Sequence, residues 1–182
     1  MELEHIIKGC IKQDRKAQNT LYEMYKRPLY VLCLKYCPSE AEAEDNLHNA
    51  FIEIFSKIDR YKGNGSFEGW MKRITINKAI DSYKKTVYLL PVYDEIIEDT
   101  SVSDQDMDIP LDYLLSVIQE LPNQYRLVFC LYELDDYPHK EIAEMLSITE
   151  STSKSNLHKA KAILKEKIMA RNPSLKNIRN GA

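Results

Sequence analysis

The side chains best suited to recognising another molecule lie in a short segment near the C-terminal end, between Thr152 and Lys159. With about 100° between successive helical residues, this segment divides into a packing stripe and an outward face. The packing stripe continues beyond the segment and consists of Leu157, Ala160, Leu164 and Ile168. The outward face consists of Ser155, Asn156, His158 and Lys159, with Lys154 on its flank. Such hydroxyl, amide, imidazole and ammonium groups can contact phosphates and base edges in a DNA major groove.

The elements around this segment favour DNA binding over the alternative interpretation, a solvated surface helix. A short helix predicted over 138–146 has Pro138 at or near its first turn, and the connector 147–149 leads into a long helix over about 150–171. Two helices joined by such a turn are typical of a helix-turn-helix. Residues 151–182 also carry eight Lys and Arg against Glu166 alone, which suits a polyanionic partner.

A second polar constellation lies on the helix predicted to begin near Ser66. Apolar spacing predicts that its inward face includes Phe67, Trp70, Met71 and Ile74. The phase of Trp70 and Ile74 continues through Asn77 and Asp81, which places an amide and a carboxylate on an otherwise apolar stripe.

Two interpretations of Asn77 and Asp81 remain open. The first is a hydrogen-bonded polar pair that closes the end of a helical bundle, because burying either group unpaired is costly. The second is a pocket formed with the loop 61–67. In that pocket Tyr61 stacks on a base and Asn77 hydrogen-bonds the edge of the base, as in proteins that bind single strands.

Helical periodicity also dominates the rest of residues 1–85. Ser39 and Glu42 form a capping box at the start of a long helix. Its apolar stripe consists of Ala43, Leu47, Ala50, Phe51, Ile54, Phe55 and Ile58. Pro28 is expected to kink or split an upstream helix. The stripe of that upstream helix consists of Leu21, Met24, Tyr25, Leu29, Leu32 and Tyr36. No strand-like alternation competes, so the predicted fold is all-α.

Charge divides the 182-residue chain, whose formal net charge is -3, into three parts. Residues 1–85 hold 15 basic and 12 acidic side chains, residues 86–125 hold nine acidic and no basic ones, and residues 126–182 hold ten basic and seven acidic ones. No helical period is sustained between 86 and 110, and the helices of the second part are predicted over 111–120 and 124–134 before those named above. We therefore predict two small helical domains, 1–85 and 110–172, an acidic flexible linker, 86–109, and a flexible basic tail, 173–182.

Composition and motifs exclude several classes of protein. Five Gly and seven Pro are too few for a collagen-like or low-complexity chain, and no apolar stretch approaches the roughly 20 residues of a membrane span. The acidic start of the chain is unlike a secretory signal, so a cytoplasmic location with reduced cysteines and no membrane insertion is expected. The four histidines form no HExxH motif, and no Gly-rich phosphate loop or nucleophile motif occurs, so no enzyme activity, metal or cofactor is predicted.

Two sequence signatures stand in order on either side of the acidic segment. The first comprises Glu42-Ala43-Glu44-Asp45, Ala50-Phe51, Phe55, Tyr61-Lys62-Gly63, Phe67, Trp70-Met71, Ile74, Asn77 and Asp81. The second comprises Leu121-Pro122, Gln124, Arg126-Leu127-Val128-Phe129, Glu141-Ile142-Ala143-Glu144-Met145-Leu146, Thr152-Ser153-Lys154-Ser155, Leu157 and Lys159-Ala160-Lys161. From about Leu21 to Lys167, the chain resembles a bacterial RNA polymerase sigma factor of the extracytoplasmic-function type.

The resemblance implies that the first domain is region two, which binds the polymerase clamp and reads the melted minus-ten element of a promoter. The implied polymerase contacts are Glu44, Asp45, His48 and Asn49. The implied contacts around a flipped non-template base are Tyr61, Lys62, Gly63, Asn64 and Asn77. After Glu44 the family's motif usually continues Asp-Leu-Val-Gln-Glu, whereas this chain continues Asp45-Asn46-Leu47-His48-Asn49.

The second domain resembles region four, whose helix-turn-helix reads the upstream minus-thirty-five element. The implied DNA contacts of its recognition helix are Thr152, Lys154, Ser155, Asn156, His158 and Lys159. Ser153 and Asn156 stand where the family usually has valine and arginine. The implied partners are RNA polymerase core, promoter DNA and an anti-sigma factor. The alternative interpretation is a stand-alone helix-turn-helix regulator, which would need a dimer interface of its own.

Overall fold

The computed structural model describes residues 3–87 and 110–171, which belong to two compact units that divide between Lys85 and Thr86. Every regular element in those two ranges is a helix, so the predicted all-α class with two helical domains is confirmed. Two predicted segments lie outside the described residues. They are the linker 86–109, apart from its first two residues, and the tail 173–182. Within 3–87 and 110–171, no helix has the length and hydropathy that crossing a membrane requires.

The first unit is built from four helices, of which α2 packs against both α1 and α3. Their bounds are α1 Leu3–Ile11, α2 Arg15–Tyr36, α3 Glu40–Lys57 and α4 Phe67–Val87, and a short 3-10 turn, Ile58–Arg60, follows α3. The predicted cap of α3 is confirmed, because the backbone N–H of Glu42 donates to the Ser39 hydroxyl at 3.2 Å.

Helix α2 runs without interruption past Pro28, so a split of the helix there is excluded, whereas the alternative, a kink, stays a prediction. Pro28 is exposed, and so is Met24, whose carbonyl loses its helical partner because proline has no N–H. Water can satisfy that carbonyl, while buried Leu21 and Leu29 anchor the helix on either side of the proline. Met24, which the apolar stripe predicted to be inward, is 48% exposed.

A buried amide ties three helices of the first unit together. Asn46 on α3 donates from Nδ2 to the backbone carbonyl of Thr75 on α4 at 3.2 Å and to the sulfur of Cys33 on α2 at 3.3 Å. Asn46 and Thr75 are both buried, so these hydrogen bonds satisfy groups that would otherwise be costly to bury.

The buried face of α4 is rotated relative to the prediction. Its core positions are Phe67, Met71, Thr75, Ile76, Ala79 and Ile80, whereas Trp70 and Ile74 are only half-buried. Asn77 and Asp81 are exposed, so the interpretation in which they form a buried polar pair is wrong. The apolar pattern did not predict Thr75 as a core position because threonine is polar. Its hydroxyl can be buried because it donates to the Met71 carbonyl at 3.0 Å.

The second unit packs its long last helix, α8, against α5, α6 and α7. The bounds are α5 Leu111–Gln119, α6 Asn123–Phe129, α7 His139–Leu146 and α8 Glu150–Arg171. A π-helical turn, Cys130–Leu134, continues α6 and ends the helix where the sequence predicted it to end. Between α7 and α8, Ser147 adopts a left-handed conformation with φ 58°, and the N–H of Ile148 donates to the Ala143 carbonyl at 3.0 Å.

A buried guanidinium holds the turn between α5 and α6. Arg126 is 2% exposed, and its Nη1 donates to the carbonyls of Gln119 and Leu121 at 3.3 and 3.2 Å. Its Nη2 donates to the Asn123 side chain at 2.8 Å. These bonds compensate for the burial of a charge and fix the two helices that support α8.

Candidate nucleic-acid and polymerase interfaces

The first turns of α8 expose a polar surface away from the helices that support it. Thr149 caps the helix, with its hydroxyl accepting from the N–H of Thr152 at 3.0 Å. Lys154, Ser155 and His158 are exposed, as predicted for an outward face, and Thr152 is half-buried at its edge. Lys154 forms an ion pair with Glu150 at 3.0 Å, and such an exposed pair contributes little, so its ammonium can exchange this partner for a phosphate.

Asn156 does not belong to that outward face, and this part of the predicted site is wrong. Its side chain is 4% exposed, and its Nδ2 has no hydrogen-bond partner among the described residues. Because α8 packs against three helices, its buried arc is wider than the leucine stripe indicated and includes Ser153 and Asn156. Asn156 is therefore not positioned to reach a base edge.

The lysines along α8 differ in their surroundings. The Lys159 ammonium lies over the ring of Tyr125, 5.7 Å from its centroid, and the residue is half-buried. Lys161 pairs with Glu133 at 2.8 Å and Lys167 with Glu120 at 2.7 Å, so acidic groups of the same unit offset these charges. Acidic groups of the same unit therefore pair with Lys154, Lys161 and Lys167, whereas the contact described for the Lys159 ammonium is with an aromatic ring.

Sequence reasoning missed a side-chain pair that joins the starts of α7 and α8. His139 Nδ1 and Ser153 Oγ lie 2.9 Å apart, and Ser153 is completely buried. The other side of the imidazole stacks on Tyr132 of the π-helical turn, with centroids 4.2 Å apart and planes 17° apart. The serine that stands in place of the family's usual valine is therefore matched by a polar neighbour.

Acidification is expected to destabilise the second unit through His139. Burial and the nearby Lys154 ammonium lower the pKa of His139 below its ordinary 6.5, although Glu150 and Glu133 oppose this. As the pH falls below 6.5, His139 is therefore protonated in the unfolded chain before it is protonated in the folded chain. The free energy of unfolding then decreases until the pH drops below the pKa of His139 in the folded chain. Denaturant unfolding between pH 7.5 and 5 checks this. His139→Phe should flatten the dependence, whereas the exposed-residue control His5→Phe should leave it as in the wild type.

The loop 61–66 is held by an aromatic cluster at the start of α4. The ring of Tyr61 lies 5.0 Å from that of Phe67 and 5.7 Å from that of Trp70, and its hydroxyl donates to the Gly65 carbonyl at 2.8 Å. Gly63 and Gly65 have φ values of 77° and 84°, which favour glycine. Tyr61 therefore supports the loop from inside, and the exposed groups of the loop include those of Lys62, Gly63 and Asn64.

Asn77 is exposed on α4, and its side chain has no hydrogen-bond partner among the described residues. It lies ten residues beyond Phe67, or about 15 Å along the helix axis. No described contact brings Asn77 together with the loop 61–66, so their joint pocket stays a prediction. The half-buried Trp70 and Ile74 occupy the same stripe of α4 as Asn77, nearer to the loop.

The predicted polymerase contacts share one exposed surface of α3. Glu44, Asp45, His48 and Asn49 are all exposed, and Ile52, one turn further on, is 63% exposed. A single exposed apolar side chain is common on protein surfaces, so Ile52 is a candidate contact only together with the predicted polar contacts around it. Sequence reasoning assigned no role to Ile52, although its position three residues after Asn49 places it on the same face.

Helices α3 and α4 are also linked by charge. The carboxylate of Glu53 on α3 pairs with Lys57 on the same helix and with Lys78 on α4, next to Asn77. These two hydrogen bonds hold the pKa of Glu53 below its ordinary value, so the carboxylate stays ionised at neutral pH. Helix α3, which carries the predicted polymerase contacts, and helix α4, which carries Asn77, are thus linked to each other.

Metal or thiol chemistry finds no support in the described residues. No group of three or more His, Cys, Asp or Glu side chains there is arranged to hold a metal ion. All four cysteines are buried and free, and burial raises the pKa of the Cys33 thiol to about 11.

Comparison with known proteins identifies the family of each helical unit. Residues 21–87 match the family described as Sigma-70 region 2, and residues 111–164 match the one described as Sigma-70, region 4. The chain is 30% identical to the ECF RNA polymerase sigma factor SigW of Bacillus subtilis, over 91% of this chain and 98% of the relative. It is 26% identical to the ECF RNA polymerase sigma-E factor of Escherichia coli, over 90% of this chain and 92% of the relative.

The fold is also that of a solved sigma factor. The structure of RpoE from Bartonella quintana in complex with the anti-sigma factor NepR aligns with a TM-score of 0.50 and 14% identity, covering 81% of this chain and 94% of that one. With both regions matched in order and a relative similar over nearly its whole length, the chain belongs to the extracytoplasmic-function sigma factors of RNA polymerase and directs transcription initiation as an alternative sigma factor.

Proposed function

We propose that the chain reads a promoter with two separate surfaces while it is bound to core polymerase. The first domain, 1–85, docks on polymerase through the exposed face of α3 and contacts the melted minus-ten element with the loop 61–66 and Asn77. The second domain, 110–172, reads the duplex minus-thirty-five element with the start of α8. The acidic segment 86–109 connects them. Such a protein works in the cytoplasm and carries out no catalysis of its own.

The observation that carries this proposal is the polar surface at the start of α8. Lys154, Ser155 and His158 are exposed on the second helix of a helix-turn-helix, whose first turns enter the major groove in such motifs. Hydroxyl and imidazole groups can hydrogen-bond base edges, and the ammonium can contact a phosphate. Asn156 is left out of the proposed contacts because it is buried.

The partners follow from the two surfaces and the family. The exposed face of α3 offers a mixed polar and apolar patch for core polymerase, and promoter DNA is the ligand of the other surfaces. The Bartonella quintana sigma factor was solved with an anti-sigma factor, and we include such a protein among the partners of this chain.

Ile52→Glu should weaken binding to core polymerase by about tenfold, because it places a charge in the centre of the proposed apolar contact. The chain should still fold, since Ile52 is exposed in the isolated structure. Co-elution with purified core polymerase measures the effect. The matched control is Ile11→Glu, which alters the same type of side chain on α1, where it is 44% exposed. Equal retention of both variants by polymerase would show that α3 is not the docking surface.

Lys159→Gln should reduce the slope of log affinity against log salt by about one for holoenzyme on an upstream-element duplex, because one phosphate contact is lost. Lys167→Gln is the control, since Lys167 pairs with Glu120 towards the far end of α8. Titrations at several salt concentrations give both slopes. An unchanged slope for Lys159→Gln would remove this residue from the DNA interface.

A further inference from the structure

We propose that His139 is a positioning residue for promoter recognition, which it serves by holding the DNA-reading end of α8 in place through Ser153. The proposal rests on the proposed function of α8. His139 is the first residue of α7, and Ser153 lies in the first turn of α8. Their side-chain contact at 2.9 Å therefore joins the two helices of the helix-turn-helix at the end that faces DNA.

The imidazole is fixed from two sides, which makes it a suitable anchor. One ring nitrogen bonds to the buried Ser153 hydroxyl, and the ring stacks on Tyr132, whose π-helical turn follows directly on α6. Aromatic stacking restrains the plane of the imidazole, and the hydrogen bond requires one orientation of Nδ1. Ser153 therefore meets a preorganised partner instead of a mobile one.

The position of Ser153 in the sequence connects this anchor to DNA reading. Ser153 stands between Thr152 and Lys154, and Ser155 follows. Successive side chains keep a fixed angle around a helix axis, so a contact that orients the Ser153 side chain also orients those of its neighbours. The Thr149 cap lies within the α8 start itself and does not attach it to α7. The ion pair of Lys161 with Glu133 attaches a later turn.

A base-specific contact is more sensitive to helix rotation than a phosphate contact, because base edges demand directed hydrogen bonds whereas a phosphate attracts a cation over a wider range. Loss of the His139–Ser153 contact should therefore lower the preference for the correct upstream element and leave sequence-independent binding nearly unchanged. A role confined to stability would lower both to the same extent.

The test uses the full chain bound to core polymerase and a duplex selected by the wild type from a randomised library. His139→Phe keeps a ring for stacking on Tyr132 but removes Nδ1, and Ser153→Ala removes the hydroxyl. Each should reduce the affinity ratio between the selected duplex and one with a scrambled upstream half by about fivefold, the effect of one hydrogen bond. The double variant should lose no more than either single variant. His139→Asn, which returns a polar group near the position of Nδ1, should recover part of the ratio.

Three outcomes would overturn the proposal. They are additive losses in the double variant, equal losses on both duplexes, and an unchanged ratio in both single variants. If the His139→Phe variant loses its helical circular dichroism, the test depends on Ser153→Ala alone. Ser153→Ala should then reduce the affinity ratio by the same factor of about five, whereas the control His5→Phe should leave the ratio unchanged. A wild-type holoenzyme that does not distinguish the two duplexes would instead overturn the proposed function, and the inference with it.

Discussion

Arg126→Met is expected to lower the free energy of unfolding of the second unit by about 3 kcal/mol, because it removes the donor of one buried and two part-buried hydrogen bonds. The acceptors are the carbonyls of Gln119 and Leu121 and the side chain of Asn123. Methionine fills a similar volume, so the loss of polar contacts dominates over the creation of a cavity. The turn between α5 and α6 should loosen, and the support for α8 should weaken with it.

The single tryptophan of the chain makes this prediction easy to check. Trp70 lies in the first unit, so its fluorescence follows the unfolding of that unit, whereas far-ultraviolet circular dichroism follows both. In Arg126→Met the dichroism transition should shift to lower denaturant while the fluorescence transition stays in place. Lys140→Met removes an exposed cation from the same unit and should shift neither transition. A variant as stable as the wild type would mean that Arg126 contributes nothing to the turn.

Asn77→Ala is expected to reduce initiation at the preferred promoter by about tenfold and to relax the preference for one base of the melted element, since each good base contact discriminates by about 1–3 kcal/mol. The side chain is exposed and makes no described hydrogen bond, so its loss should leave the fold intact. Asp81→Ala is the matched control one turn further on, and a carboxylate there offers no attraction to a phosphate backbone.

A premelted template separates the two promoter surfaces in this experiment. With a bubble across the minus-ten element, the effect of Asn77→Ala should persist, because the residue is proposed to contact the single strand. If Asn77→Ala chose the same promoters as the wild type on duplex and bubble templates, its proposed contact with the base would be wrong.

Much of the fold follows from local sequence rules. The cap at Ser39, the break at Pro122 and the connector after α7 each depend on a few neighbouring residues, and the starts of α3 and α4 and the helices of the second unit lie close to the predicted positions. Helix α1, Leu3–Ile11, was not predicted. The outward placement of Lys154, Ser155 and His158 could also be predicted, because a clear apolar stripe lies opposite them.

The remaining features depend on partners distant in sequence. Arg126 and Asn46 look like surface residues by type, and the hydrogen-bond acceptors around them make their burial favourable. Asn156 is buried because three helices enclose α8, which a periodicity of one helix cannot reveal. The contact between His139 and Ser153 joins residues from two helices, so neither residue alone signals it.

Transcription with purified core polymerase on a randomised promoter library, read by the position of each RNA start, tests the central claim most directly. The account predicts that adding the chain concentrates starts downstream of one two-part sequence with fixed spacing. Substitutions at the start of α8 should then alter the upstream part, and Asn77→Ala the downstream part. The same distribution of starts with and without the chain would contradict the account.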